Sequence, residues 1–324
     1  MQTAKAICVA TFGGPEVLRV CNVPIPSTGA GQVLVKLYAA GVNPVDTYIR
    51  SGSYARKPTL PYTPGADGAG VVKSVGDGVL DFKEGDRVFV HQISVGTYSQ
   101  YAVLQHENVH HLHQKLTFDQ GAALGVPYLT AYRALFHKLN VESERTIFIH
   151  GASGGVGVAA VQLARSHGMR VFGSAGSAAG CAVVKEAGAH DVFNHKIDGY
   201  LEKVMEATEN KGVDFIVENL ANVNLENDLK LLAEYGKIAV VGNRGSIEIN
   251  PRLMMMKESS IVGVMLSKTT QDEIKEAVFK LQKLVEGGHL NPIVKKTFKL
   301  HDAPKAHREI MEGCAKGKMV LEID

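Results

Sequence analysis

The segment RTIFIHGASGGVGVAAVQLAR, residues 145–165, constrains the fold more than any other part of the chain. An apolar run from Thr146 to Ile149 breaks into a turn carrying Gly151, Gly154, Gly155 and Gly157, and an amphipathic helical pattern follows at once. Such a turn lets backbone approach a pyrophosphate and aims a helix N-terminus at its negative charge. The strict glycine spacing is not met, because Ala152 holds the first position ahead of Gly154 and Gly157. Small-residue turns also serve helix packing alone. What gives this one weight is its place after a strand, before a helix and at the head of a series.

That series consists of six apolar runs at 146–150, 170–174, 191–193, 214–220, 237–241 and 261–266. Helical patterns alternate with them near 156–167, 178–187, 200–209, 225–234 and 251–257. The alternation predicts an α/β fold with a doubly wound, six-stranded parallel sheet, a Rossmann domain, over residues 123–269. Up to about Leu112 the chain instead shows short alternating runs separated by turn clusters, such as the Gly-Gly-Pro at 13–15. That pattern predicts a mainly β domain over residues 1–122. A helix at 271–286, another at 303–311 and a strand at 319–323 are expected to return to the first domain, making it discontinuous as 1–122 and 270–324.

With 324 residues, 45% of them hydrophobic, the chain can bury two cores. A net charge of +2 points to no nucleic-acid surface, and no apolar run reaches membrane-spanning length. Cys8, Cys21, Cys181 and Cys314 are scattered, which suggests reduced thiols and not a disulfide framework. Met1 runs almost directly into a β-type segment, leaving no room for a leader, so the expected location is cytoplasmic.

NAD sites usually carry Asp or Glu about 20 residues past the turn to hold the ribose 2′-hydroxyl. Here the second strand ends in GSAGS at 173–177, without an acid, and the third ends in Asn194, His195 and Lys196. NADP is therefore favoured, with His195 and Lys196 near a 2′-phosphate.

Five stretches carry a resemblance to a known family: GVNPVDTYIRSG at 41–52, LPYTPGADGAG at 60–70, TAYRA at 130–134, HGASGGVG at 150–157 and GSIEINP at 245–251. In this order they resemble the medium-chain dehydrogenase/reductase superfamily, and within it the zeta-crystallin branch of NADPH:quinone oxidoreductases. The resemblance implies a GroES-like catalytic domain, a Rossmann domain, an active site between them and a cytosolic homotetramer. It also implies that Ser153, Gly154, Gly155 and Val156 cradle the pyrophosphate, with Gly176 and His195 at the 2′-phosphate. Asn224, then Val241, Gly242, Asn243 and Arg244, would line the cofactor, with Val264, Met265 and Leu266 near the nicotinamide. Tyr48 would close on that side from the other domain. Some bacterial relatives carry Lys where Gly180 stands and Tyr where His195 stands.

Zinc-bearing members of the superfamily hold catalytic zinc through Cys and a Gly-His-Glu element. Here Asn43 stands at the cysteine position, and Gly65-Ala66-Asp67 replaces Gly-His-Glu. No zinc is expected, and without a Lewis acid the chain should reduce an electron-poor acceptor. The cluster His106, His110, His111 and His113, with Glu107, reads as a solvated strand and loop. Tyr48, Tyr54 and Asn43 are the candidate catalytic donors or positioning groups. The implied reaction is quinone reduction, open to one-electron steps to the semiquinone. Reduction of an alkenal or enoyl-thioester double bond, and an AU-rich RNA-binding or structural crystallin role, are the alternatives.

Overall fold

In the computed structural model, which describes residues 2–92, 96–313 and 316–324, strand β1 (Thr3–Cys8) pairs antiparallel with β2 (Arg19–Pro24). Cys314 lies outside the described residues, as do residues 93–95. The β1–β2 pairing brings Cys8 and Cys21 within 6.1 Å between Cα atoms, and a disulfide joins them. This corrects the expectation of free thiols. The partners sit 13 residues apart, on strands whose register the spacing alone does not reveal.

Strands β3 (Gln32–Val42), β4 (Asp67–Val75), β5 (Arg87–His91), β6 (Tyr101–Gln105) and β7 (Val109–His111) continue the unit. Their alternating inward residues, among them Val33, Val35, Leu37, Val88, Val90 and Leu104, form one core. Each such side chain contributes about 1.5–3 kcal/mol when fully buried. Between β3 and β4, helix α1 (Pro44–Ser51) starts on Asn43 with Pro at its first position and stops at Gly52, φ +78°. A short helix α2 (Phe118–Gly121), closed by a Thr117–Gln120 capping box, and helix α3 (Gly125–Tyr132) follow.

The chain divides into a unit of Met1–Val126 with Asn291–Asp324, and a unit of Pro127–Leu290. In the second, β8 (Thr146–Ile149), α4 (Gly155–Ser166), β9 (Arg170–Ala175), α5 (Ala178–Glu186), β10 (Asp191–Asn194) and α6 (Tyr200–Ala207) alternate strand with helix. The series continues through β11 (Val213–Glu218), α7 (Ala221–Leu231), β12 (Leu232–Val240), α8 (Pro251–Lys257) and β13 (Ser260–Gly263). All six strands run parallel in the order β10-β9-β8-β11-β12-β13. The order reverses between β8 and β11, where doubly wound sheets open a ligand crevice at the carboxyl ends of the strands. Phe148, Phe172, Ile216 and Ile238 are fully buried in one core of this unit.

Helix α9 (Gln271–Glu286) belongs to the second unit, so the expected boundaries at 122/123 and 269/270 move to 126/127 and 290/291. Its buried stripe is Ile274, Ala277, Val278, Leu281 and Val285. Arg133 donates to Glu273 at 2.7 Å and Tyr132 to Glu276 at 2.9 Å, tying the helix down. Only β14 (Val294–Lys299), α10 (Ala303–Met311) and β15 (Lys318–Glu322) return to the first unit, where β15 pairs with β3.

Two smaller expectations also change. The helix expected at 225–234 ends at Leu231, because Leu232 already pairs with Val213 in the sheet. The run Met254–Met256 reads in the sequence as adaptable core filler; Met254 does pack on the core, but Met255 and Met256 are exposed. Among the described residues, no helix is long and apolar enough to cross a membrane.

Candidate functional site

At the carboxyl end of β8 the chain turns through His150–Gly154 into α4. The Ala152 N–H donates to Ser174 O at 2.8 Å, holding this turn against β9. Gly157 is sterically obligatory: a Cβ there would lie 2.5 Å from both Ala152 Cα and Gly151 O. The close approach seats α4 tightly on the turn, and its first-turn N–H groups lack intrahelical acceptors. Ser153, Gly154, Gly155 and Val156 therefore sit together where an anion would meet a helix N-terminus.

Next along the sheet, the end of β9 carries Gly176, and the chain after β10 carries His195 and Lys196. A Cβ on Gly176 would come within 2.8 Å of His195 Nε2 and 3.3 Å of Lys196 Cε. The two positions expected at the 2′-phosphate are thus brought together. Partial burial, then the charges of His150 and Lys196, lowers the His195 pKa.

The loops after β11 and β12 meet beside the turn. Val241 N–H donates to Glu218 O at 2.8 Å, and Ala221 N–H to Gly242 O at 2.9 Å. Arg244 N–H donates to Asn222 Oδ1 at 2.8 Å, and Asn243 Nδ2 to Gly245 O at 2.7 Å. Beyond β13, Val264 N–H donates to Val240 O at 2.9 Å, Met265 is half exposed and Leu266 opens a short 3₁₀ turn. Asn224, 241–244 and 264–266 therefore follow the carboxyl ends of successive strands, as a cofactor-lining set requires.

Beneath these loops lies a cluster that the sequence reading did not single out. His150, Glu218 and Asp228 are almost completely buried, and their polar atoms lie within 4.8 Å of one another. The His150 Nε2–Asp228 Oδ1 distance is 2.6 Å. Burial raises the Glu218 and Asp228 carboxyl pKa values to about 7 and lowers that of the His150 imidazole. The sequence signal was an acid ending the apolar run of β11.

In the first unit, Asn43 caps α1 through its N–H to Asp46 Oδ2, 2.9 Å. Its side chain turns inward: Nδ2 donates to Asp67 Oδ2 at 2.8 Å, and Oδ1 accepts from Lys318 Nζ at 2.6 Å. Lys318 Nζ also lies 3.0 Å from Asp67 Oδ2, and Val126 N–H donates to Asp67 Oδ1 at 2.6 Å. Asn43 is only 3% exposed, so its side chain holds a buried ion pair and is not presented to a substrate. Tyr48, half-buried on α1, and Tyr54 are neighbours, since the Tyr54 N–H donates to Tyr48 O at 3.1 Å.

The histidine cluster does not converge. His110 Nε2 bonds His91 Nδ1 at 3.0 Å, His111 bonds Asp81 O at 3.1 Å, and His113 Nδ1 accepts from Lys115 N–H. Cys181 behaves as an ordinary helix residue, its thiol pushed up by desolvation.

Comparison with known proteins places this geometry in a lineage. An alcohol dehydrogenase GroES-like domain matches residues 29–114, and a zinc-binding dehydrogenase domain matches residues 155–283. A quinone oxidoreductase of Mus musculus is 50% identical over 321 residues, covering 98% of this chain and 97% of its own. This chain belongs to the quinone oxidoreductase family of the medium-chain dehydrogenase/reductase superfamily. The structure of Escherichia coli quinone oxidoreductase complexed with NADPH superposes on this family member with a TM-score of 0.90 at 30% identity, covering 98% of this chain and all of that one. An NAD-dependent alcohol dehydrogenase structure gives a TM-score of 0.92 at 30% identity, over 99% of this chain and all of that one. The fold is thus shared across different acceptors and nucleotides, and function has to be argued from the site.

Proposed function

We propose that this member of the quinone oxidoreductase family is an NADPH-dependent quinone reductase that works without zinc. The observation that carries the cofactor choice is the packing of His195 and Lys196 against Gly176 at the end of β9, with no carboxylate on the Gly173–Ser177 stretch to hold a 2′-hydroxyl. When bound, NADPH supplies the reducing electrons. The α4 N-terminus and residues 153–156 hold the pyrophosphate, and His195 with Lys196 holds the 2′-phosphate. Asn224, 241–244 and 264–266 orient the rest toward the nicotinamide end. Tyr48 and Tyr54 are the candidate groups for positioning the acceptor.

Zinc does not fit the donor set. At two of the positions that bear its ligands in zinc-bearing relatives stand Asn43 and Asp67, and both already bind the Lys318 ammonium. A second cation there would face Lys318 at close range. Assembly as a homo-oligomer is supported by β13, an edge strand with partly exposed Ile261 and Val262 on which two copies can pair, and the tetramer is what the family resemblance implies. Cytoplasmic residence loses its cysteine argument, given the Cys8–Cys21 bond. An AU-rich RNA role gains no support from a chain of net charge +2.

The test is steady-state oxidation of NADPH and NADH with 9,10-phenanthrenequinone, a cinnamyl-type enal and crotonyl thioester, with and without chelator. Chelator-insensitive turnover of the quinone with NADPH is expected. Activity confined to the enal or thioester would replace quinone reduction with double-bond reduction.

A further inference from the structure

The buried cluster of His150, Glu218 and Asp228 has no part in the electron transfer just proposed, yet it sits where three strand ends meet. Glu218 Oε1 accepts from Leu220 N–H and, at 3.2 Å, from Asn224 Nδ2. Asn219 Nδ2 donates to His150 O at 2.8 Å, so the turn at 219–220 and the first turn of α7 are both fastened. Glu218 O accepts from Val241 and Gly242 N–H, adding the loop after β12. Asp228 Oδ1 is engaged by His150 Nε2.

Two oxygens remain, Glu218 Oε2 and Asp228 Oδ2, buried and without a hydrogen-bond partner among the described residues, His150 Nε2 standing 3.6 Å from Glu218 Oε2. One oxygen of each carboxyl group and a ring nitrogen of His150 lie within 4.8 Å of one another, so the two acids share one small buried space. An ionised carboxylate only accepts hydrogen bonds, so two of them leave both oxygens unsatisfied and repel at full burial. One proton between the two oxygens gives each a partner. A second proton on Glu218 Oε1 would have to point at Leu220 N–H or Asn224 Nδ2, which are already donating, and one on Asp228 Oδ1 requires the His150 tautomer whose Nε2 accepts.

We infer that Glu218 and Asp228, sharing one proton, are positioning residues for the cofactor. They hold the turn at 219–220 and the first turn of α7, and orient the Asn224 amide with its Nδ2 inward and its Oδ1 left for the nucleotide. This rests on the NADPH reading above. Loss of the shared proton places two charges in the cluster, drives the carboxyls apart and releases Glu218 from Leu220 and Asn224.

The groups facing the pair from other elements are His150 at the end of β8 and Tyr200 on α6, with His195 after β10 acting on His150. Burial raises the Tyr200 hydroxyl to about 12 and lowers both imidazoles, so these three are uncharged above neutrality. The carboxyl pair is then the group of this cluster that titrates near pH 7.

The experiment measures dissociation constants for NADPH and NADH, on the full chain, from about pH 6.5 to about pH 8.5. Wild type is expected to weaken about tenfold across that range for both nucleotides. The slope should appear with NADH too, which lacks the 2′-phosphate and its own ionisation near about pH 6. Glu218→Gln keeps the oxygen that holds Leu220 and Asn224, and its amide donates permanently to Asp228. Its affinity should stay at the low-pH wild-type value throughout, and Asp228→Asn should do the same from the other side. A slope in both amide variants equal to that of wild type, or a flat wild type, overturns the inference while leaving NADPH binding intact. Wild type binding neither nucleotide would sink the cofactor reading itself.

Discussion

Each unit buries a polar cluster, and the two are solved in opposite ways. In the first, Asp67 is answered by a full cation, Lys318, with Asn43 bridging both and Val126 N–H closing the last oxygen. In the second, Glu218 and Asp228 meet only a neutral imidazole and two amide donors, leaving one proton to be found. In the first arrangement both oxygens of Asp67 have donors. The second depends on solution conditions, and it lies under the loops that follow β8 and β11. A buried ion pair serves the fold of its unit; an acid pair short of a proton can report to a ligand.

The sharpest way to break the comparison is to unbalance the complete cluster. Lys318→Met leaves Asp67 buried without its cation, and such losses cost about 3–5 kcal/mol. Hydrogen exchange at the β3 and β15 amides should show this loss in the first unit, and Asp67→Asn added to it should restore part. If Lys318→Met costs no more than an ordinary surface change, the pair is not what balances Asp67. In the second cluster, Asp228→Ala removes the partner of His150 Nε2 and of Glu218 Oε2. A cost of about 1–3 kcal/mol is expected, the penalty of stranded buried polar groups without a stranded net charge. Exchange at β8 and β11 amides measures it, and a cost equal to that of Lys318→Met would erase the distinction.

The rim of the second cluster should behave differently again. His195→Ala touches the chain after β10, where the ring lies against Gly176. It should cut the preference for NADPH over NADH about tenfold, the worth of one hydrogen bond to a charged group, with little change in unfolding. Equal weakening of both nucleotides would remove His195 from the 2′-phosphate end.

The sequence revealed these regions unequally. The six parallel strands were readable because each apolar run but the last is followed by its own crossover helix, and that alternation admits few topologies. The glycine turn was readable for the same local reason. The domain boundary was not, because the stripe Ile274–Val285 says that α9 packs but not on which core. Asn43 read as a donor because its position, not its partners, was visible; Lys318 lies 275 residues away. Glu218 left a trace as an acid closing an apolar strand. Asp228 left none, since a single polar residue in α7 looks the same whether it faces solvent or a buried histidine.

The smallest effect expected is also the most discriminating, the pH dependence of stability. A carboxyl raised to about 7 in the folded chain contributes stability that is fully present below its unfolded value of 4.5 for Glu218, or 3.8 for Asp228, and is lost as pH rises through about 7. Buried His150, His91 and His307, whose pKa values are lowered, act oppositely: their neutral forms stabilise above the unfolded value of 6.5 and lose that contribution as pH falls. The two trends oppose each other below 6.5, so the carboxyl loss stands alone from there to about pH 8. Wild type should lose about 1 kcal/mol across this interval. Asp46 in the first unit, also raised to about 7 by burial, adds its own share through Asn43 N–H and Tyr98 OH. Glu218→Gln should therefore flatten the loss at β8 and β11 amides while leaving it at α1, and Asp46→Asn should do the reverse.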